Sequence, residues 1–538
     1  MTNLPPVFNK NRLIRFAALI INGLLQAGCA IGVSLSLRQL FNDNALSSET
    51  LLSGVGVPVL LITVFSLVLG LLKWRERVDI ETLGQDYVVD TRMRIFKHIS
   101  SMSVRAMDKT RKGLILLRFV NDLTALRNWI CLGLARSIIS GIVIIVALTA
   151  LTIMNPLIGG MLMLLLTIGA VILLALGKII DHTIREARRR RGNIAGNISE
   201  KLEQMVLVQA FAQRRTERRK IKRQSFALRN ATIERASASG VIRAVVRVLA
   251  GLSLAISGGI GAMAVRSGSA TMGEVIAAIG MVTLITPSMF TFGRVYEYWK
   301  SAVVAKEKIV SLLMRGPVVS ASTNTKPLGK VKGNLVFDRI SITGGLTRFS
   351  AQAKAGDTIG LYGANGSGKS TLLFLALRLL DPDKGKVLLD GRNLCTIRSG
   401  ELRRAISIAS SSMPLLRGTI SSNIAYGSSK STDEDVIQAA EMCGMDITSS
   451  ASLFYGQRQV HEGGVNLSAG ERMRVNLARA LVCKPKILLL DEPEEHLDST
   501  GLAILKKIIK QFSGTIILAT HDLNLLEQAD DIWYLSDA

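Results

Sequence analysis

Cysteine is scarce in this chain, five in 538 residues, and no two stand in a C-x-x-C pair. No histidine cluster joins them, so neither a zinc site nor a disulfide framework is indicated, and the thiols read as small buried hydrophobes in a reducing compartment. Acidic residues are few beside basic ones, 41 against 66, for a net charge of +25. Charge of either sign is missing altogether from six apolar runs: residues 16–37, 51–72, 137–154, 157–177, 248–265 and 275–293. Each is about 18–22 residues, enough for a helix to cross a hydrocarbon core of ~30 Å; helices buried in a soluble core would be shorter and carry a polar face. A mean hydropathy of +0.34 beside so much charge excludes one ordinary soluble domain. The first run is too long for a signal-peptide core and lacks a small-residue cleavage pattern, so it is expected to stay as a span.

What charge there is has a pattern. Two long connections, 73–136 and 178–247, are crowded with arginine and lysine, while the others are short and almost uncharged. This asymmetry puts the long connections, both termini and the C-terminal part in the cytosol, the whole being a multi-pass protein of the cell inner membrane. Trp74, Trp129 and Trp299 fall near the expected cytosolic ends. Because topology accounts for the basic excess, nucleic acid is not expected as a partner. Stretches 79–111 and 183–235 lack proline and repeat apolar residues every three or four positions. They read as helical arms of ~45 Å whose turning points can touch the soluble part. The expected domains are 1–315, membrane; 316–332, a linker rich in Ser, Thr, Pro and Gly; and 333–538, soluble. No internal repeat is evident.

The soluble part carries chemistry. Gly363-Ala364-Asn365-Gly366-Ser367-Gly368-Lys369-Ser370 fits G-x-x-x-x-G-K-S/T, between a short apolar strand and an apolar helix that begins at Thr371. Glycines let several N–H groups converge on one phosphate chain at a helix N-terminus, Lys369 reaches the β/γ-phosphates, and Ser370 sits on Mg²⁺. This pattern points to a nucleoside triphosphate. A second apolar run ends in Asp491-Glu492 and a third in His521. Parallel strands deliver such terminal residues to one edge, where Asp491 can hold Mg²⁺, Glu492 can polarise water and His521 can bond the γ-phosphate.

The set as a whole resembles the ATP-binding cassette transporter family. Leu467-Ser468-Ala469-Gly470-Glu471 is similar to its signature, Glu495-His496-Leu497-Asp498 to its D-loop, and 460–465 to the segment before the signature in exporters. Residues 95–127 and 207–213 resemble the two intracellular loops of six-span exporters. The resemblance implies an all-α six-helix transmembrane domain followed by an α/β nucleotide-binding domain, with ATP and Mg²⁺ bound. It implies a half-transporter that dimerises and sandwiches ATP between one subunit's phosphate loop and Ser468 and Gly470 of the other. A homodimer is favoured over a heterodimer with a second half-transporter, because Lys369, Asp491, Glu492 and His521 all persist. The expected activity is ATP-driven export or flipping of a small molecule, lipid or peptide across the bilayer. The alternatives are a non-transporting ATP sensor or an importer with the exporter fold. Three departures stand out: Ser411 where the family has glutamine, Gly344 where it has an adenine-stacking aromatic (a role Phe349 can take over), and Ala469 with Glu471 in the signature. For substrate, Asn22 and Gln26 face either a translocation path or a neighbouring helix. Arg243, Arg247 and Arg294 either receive an anionic group or anchor the chain at the interface.

Overall fold

The computed structural model describes residues 4–42, 55–108, 112–314, 327–343 and 345–535. They form two compact units, Met1–Ser100 with Lys109–Arg315, and Ser101–Asp108 with Gly316–Ala538.

The first unit is helical throughout. Its main helices are α1 (Lys10–Leu40), α2 (Val57–Ser100), α4 (Arg136–Met154), α5 (Pro156–Glu203), α6 (Arg214–Arg266) and α7 (Met272–Leu313). Among the described residues, six helical segments are long and apolar enough to cross a membrane. Their lipid-facing residues stay exposed: Leu67 and Leu71 on α2 and Leu164 and Leu174 on α5 are all more than half accessible. Helices approach closely where a side chain is missing. Gly84 of α2 lies against Cys131, and Gly261 of α6 against Val275 of α7; a Cβ at either would collide. Gly261 falls in a charge-free run, where small residues let membrane helices pack by van der Waals contact because lipid supplies no hydrophobic drive between them. At the end opposite the charged connections, Thr271 and Glu274 form a capping box on α7, and Arg38 at the end of α1 pairs with Glu274 at 2.5 Å. The approach to α4 is irregular. Lys112–Leu117 and Leu123–Asn128 are α-helical, with π-helical turns at Arg118–Asp122 and Trp129–Ala135 between them and α4.

The segment 101–108, which lies in the stretch assigned from sequence to the membrane domain, groups with the soluble unit. Its short helix α3 (Val104–Asp108) starts with the Val104 N–H donating to the Leu379 carbonyl at 3.3 Å, and Arg105 donates to the Thr343 carbonyl at 2.9 Å.

The soluble unit is built on a parallel sheet in the order β11-β3-β10-β9-β6, with β3 (Thr358–Gly363), β6 (Ile406–Ser410), β9 (Ile487–Asp491), β10 (Thr515–Ala519) and β11 (Asp531–Leu535), while β7 (Gly418–Thr419) and β8 (Gln459–Val460) pair with each other. β9 and β10 are buried along their whole length, as parallel strands covered on both faces must be. Beside it lies an antiparallel sheet, β2-β1-β4-β5, from β1 (Leu335–Ser341), β2 (Phe349–Ala353), β4 (Lys384–Leu389) and β5 (Arg392–Asn393). The residues Phe337, Phe349 and Trp533 pack edge-on between the two, with centroids 5.8–6.1 Å apart. All five cysteines are free. Burial pushes the Cys443 thiol up to about 12, which leaves it a protonated, unreactive core group.

Candidate nucleotide site and membrane cavity

β3 runs into the glycine loop and then helix α8 (Lys369–Ala376). Gly366 and Gly368 have φ of +90° and +100°, a region costly to any residue with a Cβ, and this turns successive N–H groups toward one point. Lys369 Nζ donates to the Gly363 carbonyl at 2.7 Å and to His521 Nε2 at 2.8 Å; an ammonium has no acceptor, so the imidazole nitrogen accepts. Asn365 Oδ1 lies 2.9 Å and Glu492 Oε1 3.6 Å from the same ring nitrogen. The Ser367 hydroxyl is buried with no hydrogen-bond partner among the described residues, a donor suited to a phosphate oxygen.

Registry explains the convergence. Asp491 pairs with Ala519 on one side and Ser410 on the other, so β6, β9 and β10 end level. Ser370 Oγ donates to Asp491 Oδ1 at 3.0 Å and Ser410 Oγ to Oδ2 at 3.3 Å. Burial raises the pKa of Asp491; the Ser370 and Ser410 hydroxyls and Lys369 pull it down, and Glu492 adds to the rise. A carboxylate destabilised in this way, among oxygen donors only, suits a hard divalent cation. Glu492 follows at φ +49°, a left-handed conformation that costs a non-glycine residue ~1–3 kcal/mol and that clusters at functional sites.

The structure therefore brings together Asn365, Lys369, Ser370, Asp491, Glu492 and His521, with Gly363, Gly366, Ser367 and Gly368 in the loop and Thr371 the third residue of α8. It does not bring Ser468 and Gly470 to them by any hydrogen bond among the described residues. These two start helix α9 (Ala469–Leu481), where Ser468 Oγ accepts the Glu471 N–H at 3.1 Å and Glu471 returns the bond to the Ser468 N–H at 2.6 Å. Glu471 also pairs with Arg458 at 2.8 Å. The unusual glutamate in the signature thus completes a capping box and an ion pair. Ser411 donates to Glu495 at 3.0 Å, while its neighbour Ser410 takes the contact to Asp491. Gly344 lies outside the described residues. Phe349 is committed to the aromatic cluster between the sheets, so it does not supply a stacking face; the hollow beside Asn365 and Gly366 is lined instead by Ile342, Leu346, Arg339 and Arg348. Two residues escaped the sequence reading. Ser410 was discoverable from strand alternation, whereas Glu494, which binds the Thr520 hydroxyl and the His521 N–H (3.3 Å), had no local signal.

In the membrane unit, Asn22 and Gln26 are both buried. Gln26 donates to Glu76 at 2.8 Å, Asn22 donates to the Leu72 carbonyl at 3.1 Å, and Lys73 pairs with Glu76 at 2.9 Å. Glu76 is only 3% exposed and lines a cavity of about 240 Å³ with Lys73, Arg136, Arg294 and Tyr298, beside Leu132 and Phe290. Of the three arginines singled out in the sequence, Arg294 alone reaches this cavity. Arg247 lies over the Phe290 ring at 5.8 Å, and Arg243 is exposed.

Comparison with known proteins decides what this combination is. The family model described as ABC transporter transmembrane region matches residues 13–289, more than half of the chain, and that described as ABC transporter matches 346–495. The chain belongs to the ABC transporter family. Among its relatives, an ATP-dependent lipid A-core flippase of Nitrosococcus oceani is 26% identical, covering 96% of this chain and 87% of the relative. An uncharacterised ABC transporter ATP-binding protein of Bacillus subtilis is 27% identical, covering 85% and 80%. The solved structure of a bacterial Atm1-family ABC exporter with ATP bound superposes with a TM-score of 0.88 at 20% identity, over 98% of this chain and 94% of that one, which shows the shared fold. This ABC transporter is thus an exporter-type half-transporter, six membrane helices fused to one nucleotide-binding domain, and a multi-pass membrane protein that couples ATP hydrolysis to transport.

Proposed function

We propose that this half-transporter exports or flips an anionic amphiphile as a homodimer working by alternating access, in the cell inner membrane with its cassette and both termini cytosolic. The observation that carries the substrate class is the membrane cavity. Lys73, Arg136 and Arg294 place three cations around one carboxylate, Glu76, which is itself held by Gln26 and Lys73; Leu132 and Phe290 supply apolar wall. A head group with negative charge neutralises the excess, and an acyl or aromatic body lies against the apolar wall. The relatives named lipid A-core flippases act, by those names, on molecules of this kind. Basic residues beside the spans support the cytosolic placement.

In the cassette, Lys369 and His521 stabilise charge on the γ-phosphate, and Glu492, displaced from its strand by the left-handed turn, polarises the attacking water. Ser370 and Asp491 would hold Mg²⁺, which when bound neutralises phosphate oxygens. Ser468 and Gly470 complete the site of the facing copy. With Ser411 tied to Glu495 rather than reaching Asp491, coupling between nucleotide and membrane arms is looser than a glutamine would make it.

The test is reconstitution of the purified chain in liposomes. An anionic amphiphile should stimulate ATP hydrolysis and cross the bilayer, and Arg136→Glu with Arg294→Glu should abolish stimulation while basal turnover persists. Equal stimulation by neutral and cationic amphiphiles would sink the substrate class. Hydrolysis that no amphiphile stimulates, without transport, would favour a sensor. A monomeric, inactive preparation rescued by a second half-transporter would replace the homodimer with a heterodimer.

A further inference from the structure

A second basic cluster in the membrane unit lies outside the substrate cavity. A second cavity, of about 380 Å³, is lined by Arg118, Arg188, Arg189, Arg191, Arg235 and Lys308. Only two carboxylates, Asp122 and Glu297, share that lining, so six cations against two anions leave a net charge of +4. Both carboxylates are already engaged. Asp122 takes Arg118 on one oxygen at 2.9 Å and Arg188 on the other at 3.4 Å, and Glu297 takes Arg235 at 2.6 Å. Arg189 pairs with Glu186. Among the described residues, Arg191 and Lys308 have no ion-pair partner, although both face the same space. Burial lowers the pKa of the Arg188 guanidinium; Asp122 opposes this, and Arg235, Arg191 and Arg118 add to it, as expected in a positive field. Like charges gathered in a half-buried hollow repel unless an anion joins them. The wall is also irregular here, because the π-helical turn Arg118–Asp122 carries two of the lining charges, and such turns recur at functional sites.

Depth selects the source of the anion. Arg188 and Arg191 lie eleven and fourteen residues past Gly177, the last residue of the uncharged run 157–177. Lys308 lies fifteen past Gly293, and Arg235 thirteen before Val248. At 1.5 Å per residue these are ~16–22 Å beyond the apolar segments, whereas the headgroup layer adds only ~5–8 Å per side. A helix tilt of ~20° shortens that distance by less than a tenth. The substrate cavity, bounded by Arg136 and Arg294, touches the level above; the two share only Tyr298.

We infer that this cavity is a cytosolic binding site for a soluble, multiply charged phosphate-bearing anion, separate from both the ATP site and the substrate cavity. Phosphate chemistry is common to free polyanions and lipid head groups, and the depth favours the free one. The probe is inorganic pyrophosphate, titrated calorimetrically and by thermal midpoint into the full-length chain in detergent at low salt. A Lys369→Ala background keeps the phosphate loop from competing. Saturable binding that raises the midpoint is expected, weakened at least tenfold by Arg191→Gln with Lys308→Gln. The charge-retaining pair Arg191→Lys with Lys308→Arg should keep the affinity within about threefold. Without pyrophosphate, the double Gln variant should melt no lower than its parent, because it relieves repulsion; this also reports that it folds. No binding by the parent, or equal binding by the Gln variant, overturns the site. In nanodiscs, phosphatidylglycerol that displaces pyrophosphate and is retained only while Arg191 and Lys308 are present overturns the soluble source in favour of a lipid.

Discussion

The nucleotide site and the membrane cavity are both polar clusters built from residues far apart in the chain, yet they are assembled by opposite means. In the cassette, Ser370, Ser410, Asp491 and His521 span about 150 residues and meet because β3, β6, β9 and β10 run parallel and end at one edge. Each ligand-facing group follows an apolar strand, and the loop between them needs glycine for its backbone path. In the membrane unit, Glu76, Arg136 and Arg294 come from three helices whose polar residues carry no fixed spacing. A site made by backbone geometry constrains its sequence tightly. One made by side chains reaching between helices can place the same charge at many positions, and its residues look like ordinary interfacial arginines and glutamates.

This contrast predicts that cassette substitutions change turnover with little change in stability, and that membrane substitutions do the reverse. The largest effect is expected at Glu492. Glu492→Gln should bind ATP yet lose ~10²–10⁴-fold in phosphate release, the usual worth of a general base, while its thermal midpoint stays near the parent's. Lys369→Ala should fall at least ~10²-fold. Wild-type turnover in Glu492→Gln would remove that residue from the water-polarising role.

A moderate effect is expected at Glu76. Glu76→Ala strips the buried Gln26 of one of its two acceptors, leaving Asn22 Oδ1, and the exposed Lys73 of its counter-charge, which should lower stability by about 1–3 kcal/mol while nucleotide affinity is unchanged. Denaturation in detergent beside ATP titration checks both halves; a loss of ATP affinity without a loss of stability would erase the contrast.

The smallest effect concerns Asp435, a half-buried side chain at the start of a cassette helix. Lys484 at 2.6 Å and the Thr432 cap hold its carboxyl down to about 2. A carboxylate whose folded pKa is depressed adds stability above its unfolded value and loses it as pH falls toward the folded one. The thermal-midpoint gap between wild type and Asp435→Asn should therefore be constant above about pH 5 and narrow from there toward pH 2. A gap that widened on acidification would contradict the pairing.

Much of the fold was legible. Six charge-free runs named the membrane helices, and strand–loop–helix punctuation named the nucleotide-binding domain. The site was less so. Glu471 reads as a defect in the signature until the fold shows its capping box and its pair with Arg458. Ser411 reads as the position of the family's glutamine, but the strand ends one residue earlier, Ser411 turns to Glu495, and Ser410 makes the contact to Asp491. Phe349 looks available for stacking and is instead wedged between two sheets.

By itself, then, the sequence determined membrane insertion, the order of the two domains and the phosphate loop, because hydrocarbon thickness and backbone torsion act on contiguous residues and leave contiguous marks. Only the tertiary structure decided which arginines share a cavity, which carboxylate Gln26 holds, and which serine reaches Asp491. Those are distances between separate elements, set by helix rotation and strand register, and a change of one residue in either turns a side chain to another face.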